Sequence, residues 1–365
     1  MPVRSAKKSK KIAAKRNKGF SWKRSKAARK ARKKIRLLFF AIVSLLLTTL
    51  LLTAFSIYKF AKAPLLSASL GSLEKNEDWD GKEEMNILFL MVDDFGRSAP
   101  KLESLYVLRI VPQNQNYFII KLPISAECDL AERYGVGDIA KAFAIGDVRL
   151  VQETVFKQLA IYSDSYVLTD LKGLSEIKNI FGEIDLKNIR KSTPATKLYI
   201  NPNFLKFLHE NVKSNLSIKD LFNILSFVRS TDSINAKVFE LNDDSFEDKE
   251  LFDGFWNEYI LQGIAGEENS RILVLNGAEV PGLATWGGRV VSNSGFTLLD
   301  VGNTKKKYEE SFLISGDPQS NLSQELSHIF GISVIKDRIS IEDEDEIFLR
   351  GDIVVVLGLD IGSVL

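Results

Sequence analysis

Residues 37–58 read LLFFAIVSLLLTTLLLTAFSIY, 22 positions without a charge. At a rise of about 1.5 Å per residue a helix of this length extends about 33 Å, enough to cross a hydrocarbon core of about 30 Å. A core helix of a soluble domain rarely runs so far without a polar face. The run also exceeds the apolar core of a cleaved signal peptide, about 7–15 residues. The one small-x-small triplet after it, Ala61-Lys62-Ala63, would place Pro64 first after the cut. The segment is therefore expected to be a retained signal-anchor, a single transmembrane helix.

Charge then sets the orientation. Residues 1–36 hold 17 Lys and Arg and no Asp or Glu, leaving 32 basic and 47 acidic residues in the rest of the chain. The formal net charge of +2 is thus an average of a basic tail and an acidic body. Basic residues stay on the cytoplasmic side of a span, so the tail is expected inside the cell membrane. The linker 59–84 and everything after it are expected outside. A run such as KKSKKIAAKRNKGFSWKRSKAARKARKKIR also suits nucleic acid. Beside a span, though, it is attracted to anionic lipid at about 1 kcal/mol per basic residue near the surface. Membrane lipid is the expected partner of the tail, with Phe20 and Trp22 as interfacial anchors, and nucleic acid is not.

The remaining length allows two modest domains. NILFLMV (86–92) is a continuous apolar run, as in a buried strand. SLYVLRIVP (104–112) and NYFIIKLP (116–123) follow as strands around a Gln113–Gln115 turn. Helical periods run over 138–145, 148–160, 170–181, 202–209 and 218–229, with a short strand in FGEIDL and another at 236–241. Strands alternating with helices predict an α/β layered domain over 85–245. The acidic stretch 246–269 is expected to be a linker or short connecting helix. A second unit at 270–362 shows β-α-β-β-α-β-β order, a small α+β domain with its own apolar strands. Pro281 is expected at the first position of its first helix.

Most candidate motifs have a plainer explanation. Gly277-Ala-Glu-Val-Pro-Gly282 follows a strand, but Leu283-Ala284 stand where a phosphate loop needs Lys-Ser/Thr, so it reads as a tight turn. Glu342–Glu346 lacks the alternating ligands and central Gly of a calcium loop. One cysteine (Cys128) and two histidines (His209, His328) rule out a disulfide framework and a Cys/His-rich metal centre. Asp93, Asp94 and Arg97 stand apart. They leave the end of a buried strand, where open α/β sheets place their ligands. Paired carboxylates can hold Mg²⁺ and an Arg can fork onto pyrophosphate oxygens, while simple polar capping of a strand end gives the same pattern.

Residues 85–241 resemble the LytR–CpsA–Psr family, on MNILFLMVDD, ESLYVLRIVPQNQNYFIIKLP, DIAKAFAIGD, the long VQETVFKQLAIYSDSYVLTDLKGLSEIKNIFGEIDL and KSNLSIKDLFNILSFVRS. Residues 270–362 resemble the LytR C-terminal domain, on RILVLNGAEVPGLA, GFTLLDVGN and DIVVVLGLDIG. The resemblance implies an exported, membrane-anchored enzyme with a mixed central sheet. Such enzymes move a glycopolymer from a polyprenyl-pyrophosphate carrier to peptidoglycan, with Mg²⁺ at the pyrophosphate and arginines around it. The charged motifs depart from that pattern. Asp93 is retained, but the Arg expected two residues later is Phe95, with Arg97 as an imperfect substitute. The Arg-Ser-Asp-Thr segment reads Lys101-Leu102-Glu103-Ser104, and the Pro-Arg-Asp signature reads Pro123-Ile124-Ser125. The later arginine-rich segment is replaced by KNIRKSTPATK. The expectation is a degenerate, non-catalytic member that holds polyprenyl-linked glycopolymer, peptidoglycan or a partner enzyme, with no cofactor assigned to it. Its apolar crevice would be lined by 138–160 and 218–229. The alternative is an active phosphotransferase, with Mg²⁺, rebuilt around Asp93, Asp94, Arg97 and Glu103.

Overall fold

The computed structural model describes residues 79–163, 165–171, 210–261, 270–338 and 346–363. All of these described residues belong to one compact unit, within 63–365. The basic tail, the span at 37–58, most of the linker 59–84, His209, all but Glu346 of the acidic run 342–346, and the elements expected within 172–209 lie outside the described residues. Among the described residues no helix is long and apolar enough to cross a membrane.

The first sheet is built from β1 (Met85–Val92), β2 (Leu102–Val111), β3 (Asn116–Leu122), β6 (Ser165–Asp170), β7 (Val212–Ser214) and β8 (Ala236–Glu240). Their order is β7-β6-β1-β2-β3-β8. β2 runs antiparallel between β1 and β3, and β6 and β8 lie parallel to those two, so the sheet is mixed. The carboxyl ends of β1, β3, β6 and β8 therefore share one end. A small ribbon, β4 (Glu127–Asp129) with β5 (Val136–Asp138), precedes α1 (Ile139–Leu159). Asp138 caps α1 by accepting from the Lys141 amide at 2.6 Å. The two helical periods at 138–145 and 148–160 are one element with a kink at Gly146 and Asp147.

Alternation along the strands sends side chains to two different layers. Leu88, Leu90, Val92, Leu105, Val107, Ile120 and Leu168 pack with Val148, Val151, Val155 and Leu159 of α1. Met85, Ile87 and Ile110 pack on the other face with Leu216, Ile224 and Trp79. Ile224 belongs to α2 (Ile218–Ser230), which starts at a capping box in which Ser217 and Asp220 bond each other's backbone. Its inward stripe is Ile218, Leu221, Ile224, Phe227 and Val228. The two helices thus lie on opposite faces, which overturns the expected crevice lined by both. Hydrophobic period shows that a helix has an apolar face, not which side of a sheet receives it.

The stretch expected as an acidic linker is largely structural. It forms α3 (Asp243–Glu247), α4 (Lys249–Phe255) and a turn of π-helix over Trp256–Ile260. Phe246, Phe252, Trp256 and Ile260 are fully buried in the α1-side core. The acidic residues occupy the positions between these anchors. Trp256 also lies under Arg109, whose guanidinium is 5.6 Å from the indole. Arg109 is 3% exposed, a charge that water does not solvate, and is held by Glu84 and by Asn86 Oδ1 at 3.2 Å. Burial pushes the Glu84 carboxyl up from its ordinary range, although Arg109 acts in the opposite direction.

The second sheet has the order β10-β9-β13-β11-β12, from β9 (Arg271–Asn276), β10 (Thr297–Asn303), β11 (Phe312–Ser315), β12 (Ile335–Asp337) and β13 (Ile353–Leu357). One face is covered by α5 (Leu283–Asn293) and α6 (Asn321–Phe330), the other by Tyr308, Ile347 and Phe348. The expected β-α-β-β-α-β-β order is present, and a short α7 (Leu359–Gly362) closes the chain. Pro281, however, lies in the turn before α5. Gly282, at φ +80°, is its N-cap, because the tight entry requires a left-handed residue.

The helical face of this sheet docks on the end of α1. Phe156, Ala160 and Tyr162 belong to the core around Trp286 and Phe330. Polar bonds cross the same joint. Trp256 Nε1 donates to the Asn293 carbonyl at 2.9 Å, Asn293 Nδ2 to the Leu159 carbonyl at 3.0 Å, and Trp286 Nε1 to the Phe156 carbonyl at 3.3 Å.

Candidate functional site

The carboxyl end of the first sheet carries the residues singled out above. A bulge between Met91 and Val92 breaks the β1–β2 register, so Val92 faces Leu102 and Met91 faces Ser104. Asp93 follows at once. Its Oδ1 accepts from the Asp94 amide at 2.8 Å and the Lys101 amide at 2.9 Å, and its Oδ2 is paired with Arg97. The Lys101 amide foremost, aided by the Asp94 amide and Arg97, holds the Asp93 carboxyl below the usual carboxylate range. Asp94 Oδ1 accepts from the Gly96 amide at 2.8 Å, a side-chain turn of the kind Asp commonly makes. The structure thus brings Asp93 and Arg97 together, but it spends them on each other and on the 93–101 loop. Glu103 occupies the unpaired bulge position, exposed, and no bond joins it to Asp93 or Arg97.

Neighbouring positions are apolar where a charged centre would need donors. Phe95 and Ile124 both pack against the α1-side core, and the Ile124 carbonyl accepts from Ala140 at 3.1 Å. Ile124 stands where the resemblance leads one to expect an arginine, and it makes an apolar contact with the core rather than leaving a gap. A resident Mg²⁺ does not fit this donor set. Mg²⁺ demands several oxygens in octahedral array, whereas both Asp93 oxygens and Asp94 Oδ1 already accept backbone or guanidinium N–H groups. Among the described residues no three acidic, His or Cys side chains group as metal ligands.

Sequence reasoning passed over a second set of polar residues at this end. Asp170 closes β6, 3% exposed, and its Oδ2 accepts from the Phe95 amide at 3.3 Å. Lys213 of β7 lies with its ammonium 4.5 Å from the Phe95 ring centre. Asp147 sits in the α1 kink at φ +56°, ψ −151°, a conformation normally left to glycine. Burial raises its carboxyl above the ordinary range, while Lys213 opposes that shift. Tyr166 of β6, beside them, has a buried hydroxyl with no hydrogen-bond partner, and burial pushes its phenol up to about 12. The one legible signal was Gly146-Asp147 interrupting a helical period.

The remaining titratable candidates are structural. Cys128 is buried, and burial pushes its thiol up to about 11, away from nucleophilic chemistry. His328 stands edge-on to Tyr162, ring centres 5.3 Å apart, at the joint between the sheets.

Comparison with known proteins shows what the chain is similar to. Residues 269–360 match the LytR C-terminal family, described as LytR cell envelope-related transcriptional attenuator. The matched segment is thus similar to a LytR C-terminal domain, and the part before it resembles proteins of the LytR–CpsA–Psr type. A polyisoprenyl-teichoic acid–peptidoglycan teichoic acid transferase TagU from Bacillus cereus is 25% identical over 143 residues, covering 37% of this chain and 47% of the relative. The TagU of Bacillus mycoides is 26% identical over 106 residues, 29% of this chain and 35% of its own length. This chain therefore spans about a third to a half of the curated relatives it matches. The crystal structure of B. subtilis TagV aligns at TM-score 0.38 and 17% identity, over 44% of this chain and 85% of that one. The matched residues 269–360 correspond to the second sheet and its helices, so the docking joint on α1 connects that segment to the first sheet layer.

Proposed function

We propose that this chain is a membrane-anchored cell-envelope protein that holds polyprenyl-linked glycopolymer or peptidoglycan without transferring it. The observation that carries this reading is the state of the sheet end. Among the described residues its one acid-and-arginine pair, Asp93 with Arg97, is closed on itself, and Ile124, packed against the core, stands where the resemblance leads one to expect an arginine. Transfer from a pyrophosphate carrier develops negative charge on the leaving group, which must meet preorganised donors as the bond breaks. Removing a single such donor typically costs about 10²–10³ in rate. Phe95 and Ile124 instead offer an apolar lip, a surface for a lipid chain rather than for its charge. The relatives' names as teichoic acid transferases supply the ligand class. The apolar run 37–58 supplies the anchor, and the basic tail before it supplies the cytoplasmic orientation and the contact with anionic lipid.

The alternative, an active phosphotransferase, draws on Lys213 at the same sheet end, the cation nearest Phe95 among the described contacts. Both readings meet in one assay. The full chain, a Lys213→Ala variant and an Asp93→Ala, Arg97→Ala variant are supplied with a polyprenyl-pyrophosphate-linked oligosaccharide, Mg²⁺ and peptidoglycan fragments. Lipid co-purifying with the chain is identified by mass spectrometry. Bound lipid-linked glycan with transfer at background is the expected result. Robust transfer that either variant abolishes establishes the enzyme and overturns the holder.

A further inference from the structure

The LytR C-terminal domain carries a cavity of about 300 Å³ on the sheet face that points away from α5 and α6. It is lined by Tyr308, Glu309, Glu310, Phe312, Val334 and Lys336, with Ser311 at its base. Cavities of roughly this volume lie at the lower end of those that hold small ligands. Its place in the fold is informative. β9 and β13 are parallel and adjacent, and Phe312 pairs with Val356 near the carboxyl end of β13. Open α/β sheets bind ligands outside the carboxyl ends of their parallel strands.

The wall of the cavity is rigidly held. The Tyr308 amide donates to the Gly277 carbonyl at 2.7 Å. In return, the Leu359 amide donates to the Tyr308 carbonyl and the Asp360 amide to the Glu309 carbonyl, each at 3.0 Å. The Ser311 hydroxyl donates to Asp360 Oδ1 at 2.5 Å and accepts from the Gly358 amide at 2.8 Å. The Tyr308 and Phe312 rings meet edge to face, 5.0 Å between centres. Little conformational freedom is left to lose on binding, which is the usual mark of a preorganised site.

Its charges are of both signs and are spaced by an apolar floor. The Lys336 ammonium lies 3.7 Å from the Phe312 ring centre, and Glu309 and Glu310, also in the lining, are exposed. The nearby Lys307 is spent on Glu279 at 2.6 Å. Among the described residues neither Glu309, Glu310 nor Lys336 has an ion pair. We propose that this cavity binds a short peptide-like ligand carrying a free ammonium and a free carboxylate. The carboxylate meets Lys336, the ammonium meets Glu309 and Glu310, and a small aliphatic body rests against Tyr308, Phe312 and Val334. A purely anionic ligand would meet two carboxylates here, and a neutral sugar would leave all three charges unanswered.

The test uses the dipeptide Lys-Ala, its form acetylated on both amines and amidated at the carboxyl end, and a neutral disaccharide, each titrated into the full chain by NMR or calorimetry. Lys-Ala is expected to bind in the millimolar range, and blocking both its termini should weaken binding about tenfold. Lys336→Gln and Glu309→Gln, Glu310→Gln should each weaken it about threefold, the scale of exposed charge pairs, with the unfolding temperature unchanged. Absence of Lys-Ala binding to the folded chain overturns the proposal. So does equal affinity for the blocked peptide, or binding that the substitutions leave untouched. Tighter binding of the disaccharide instead assigns the cavity to sugar and also refutes it.

Discussion

Replacing Arg289 by alanine removes the strongest polar contact across the joint between the two sheets. Arg289 Nε and Nη2 lie 2.6 and 2.9 Å from the two carboxylate oxygens of Asp253, and Nη1 donates to the Gln158 carbonyl at 3.1 Å. The side chains are 13% and 22% exposed, so the pair is largely withdrawn from water. Breaking a fully buried pair by removing one partner costs about 3–5 kcal/mol, mostly because the other charge is stranded. Here part of Asp253 still meets solvent, and Asn293 Nδ2 remains 2.8 Å from its Oδ1. The cost is therefore scaled down to about 2–3 kcal/mol. For a unit of this size that lowers Tm by about 4–10 °C. Urea unfolding of Arg289→Ala, Asp253→Ala and the double variant measures it. The double variant should cost no more than about 1 kcal/mol beyond either single one, since no charge is then stranded. A single-variant loss below about 0.5 kcal/mol, or full additivity in the double variant, would refute the argument.

Four further outcomes are expected. Asp147→Gly should stabilise the chain by about 0.5–1 kcal/mol, because glycine adopts the kink's conformation without strain, whereas Asp147→Ala should not; a lower Tm for the glycine variant contradicts the strain. With its thiol near 11 rather than near 9, Cys128 has roughly a hundredfold less thiolate at pH 8 than in the unfolded chain. Alkylation should accordingly be slow in the native protein, fast in urea, and accelerate as pH rises toward 11; fast native labelling at pH 8 contradicts the burial. A 268–365 fragment should unfold cooperatively, but below the stability of the whole, since Trp286 loses Phe156, Ala160 and Tyr162; a non-cooperative coil would move the domain boundary. A reporter active only outside the cell should work when fused after Leu365 and fail before Met1, and the reverse pattern removes the proposed orientation.

Much of the architecture was legible without coordinates because it rests on local periodicity. Continuous apolar runs became the central strands at Met85–Val92, Arg271–Asn276 and Ile353–Leu357, and the strand–helix order of the second sheet came through intact. Kinship was legible for the same reason, since the matching segments are mostly strands, turns and helix starts. Side-chain partnership was not. Nothing in the spacing of Asp93 and Arg97 shows that the loop after Asp93 closes on it, because that depends on the Lys101 amide being brought back by the pairing of β2 with β1. Lys213 and Asp147 are 66 positions apart, and only the placement of β7 beside β6, under the α1 kink, brings them to one end. The acidic letters of 246–261 masked four buried anchors, since composition averages over faces that a helix separates. The side of a sheet on which α1 and α2 land is likewise a property of the whole topology. Sequence periodicity determines what each segment must bury, and tertiary structure alone decides against what.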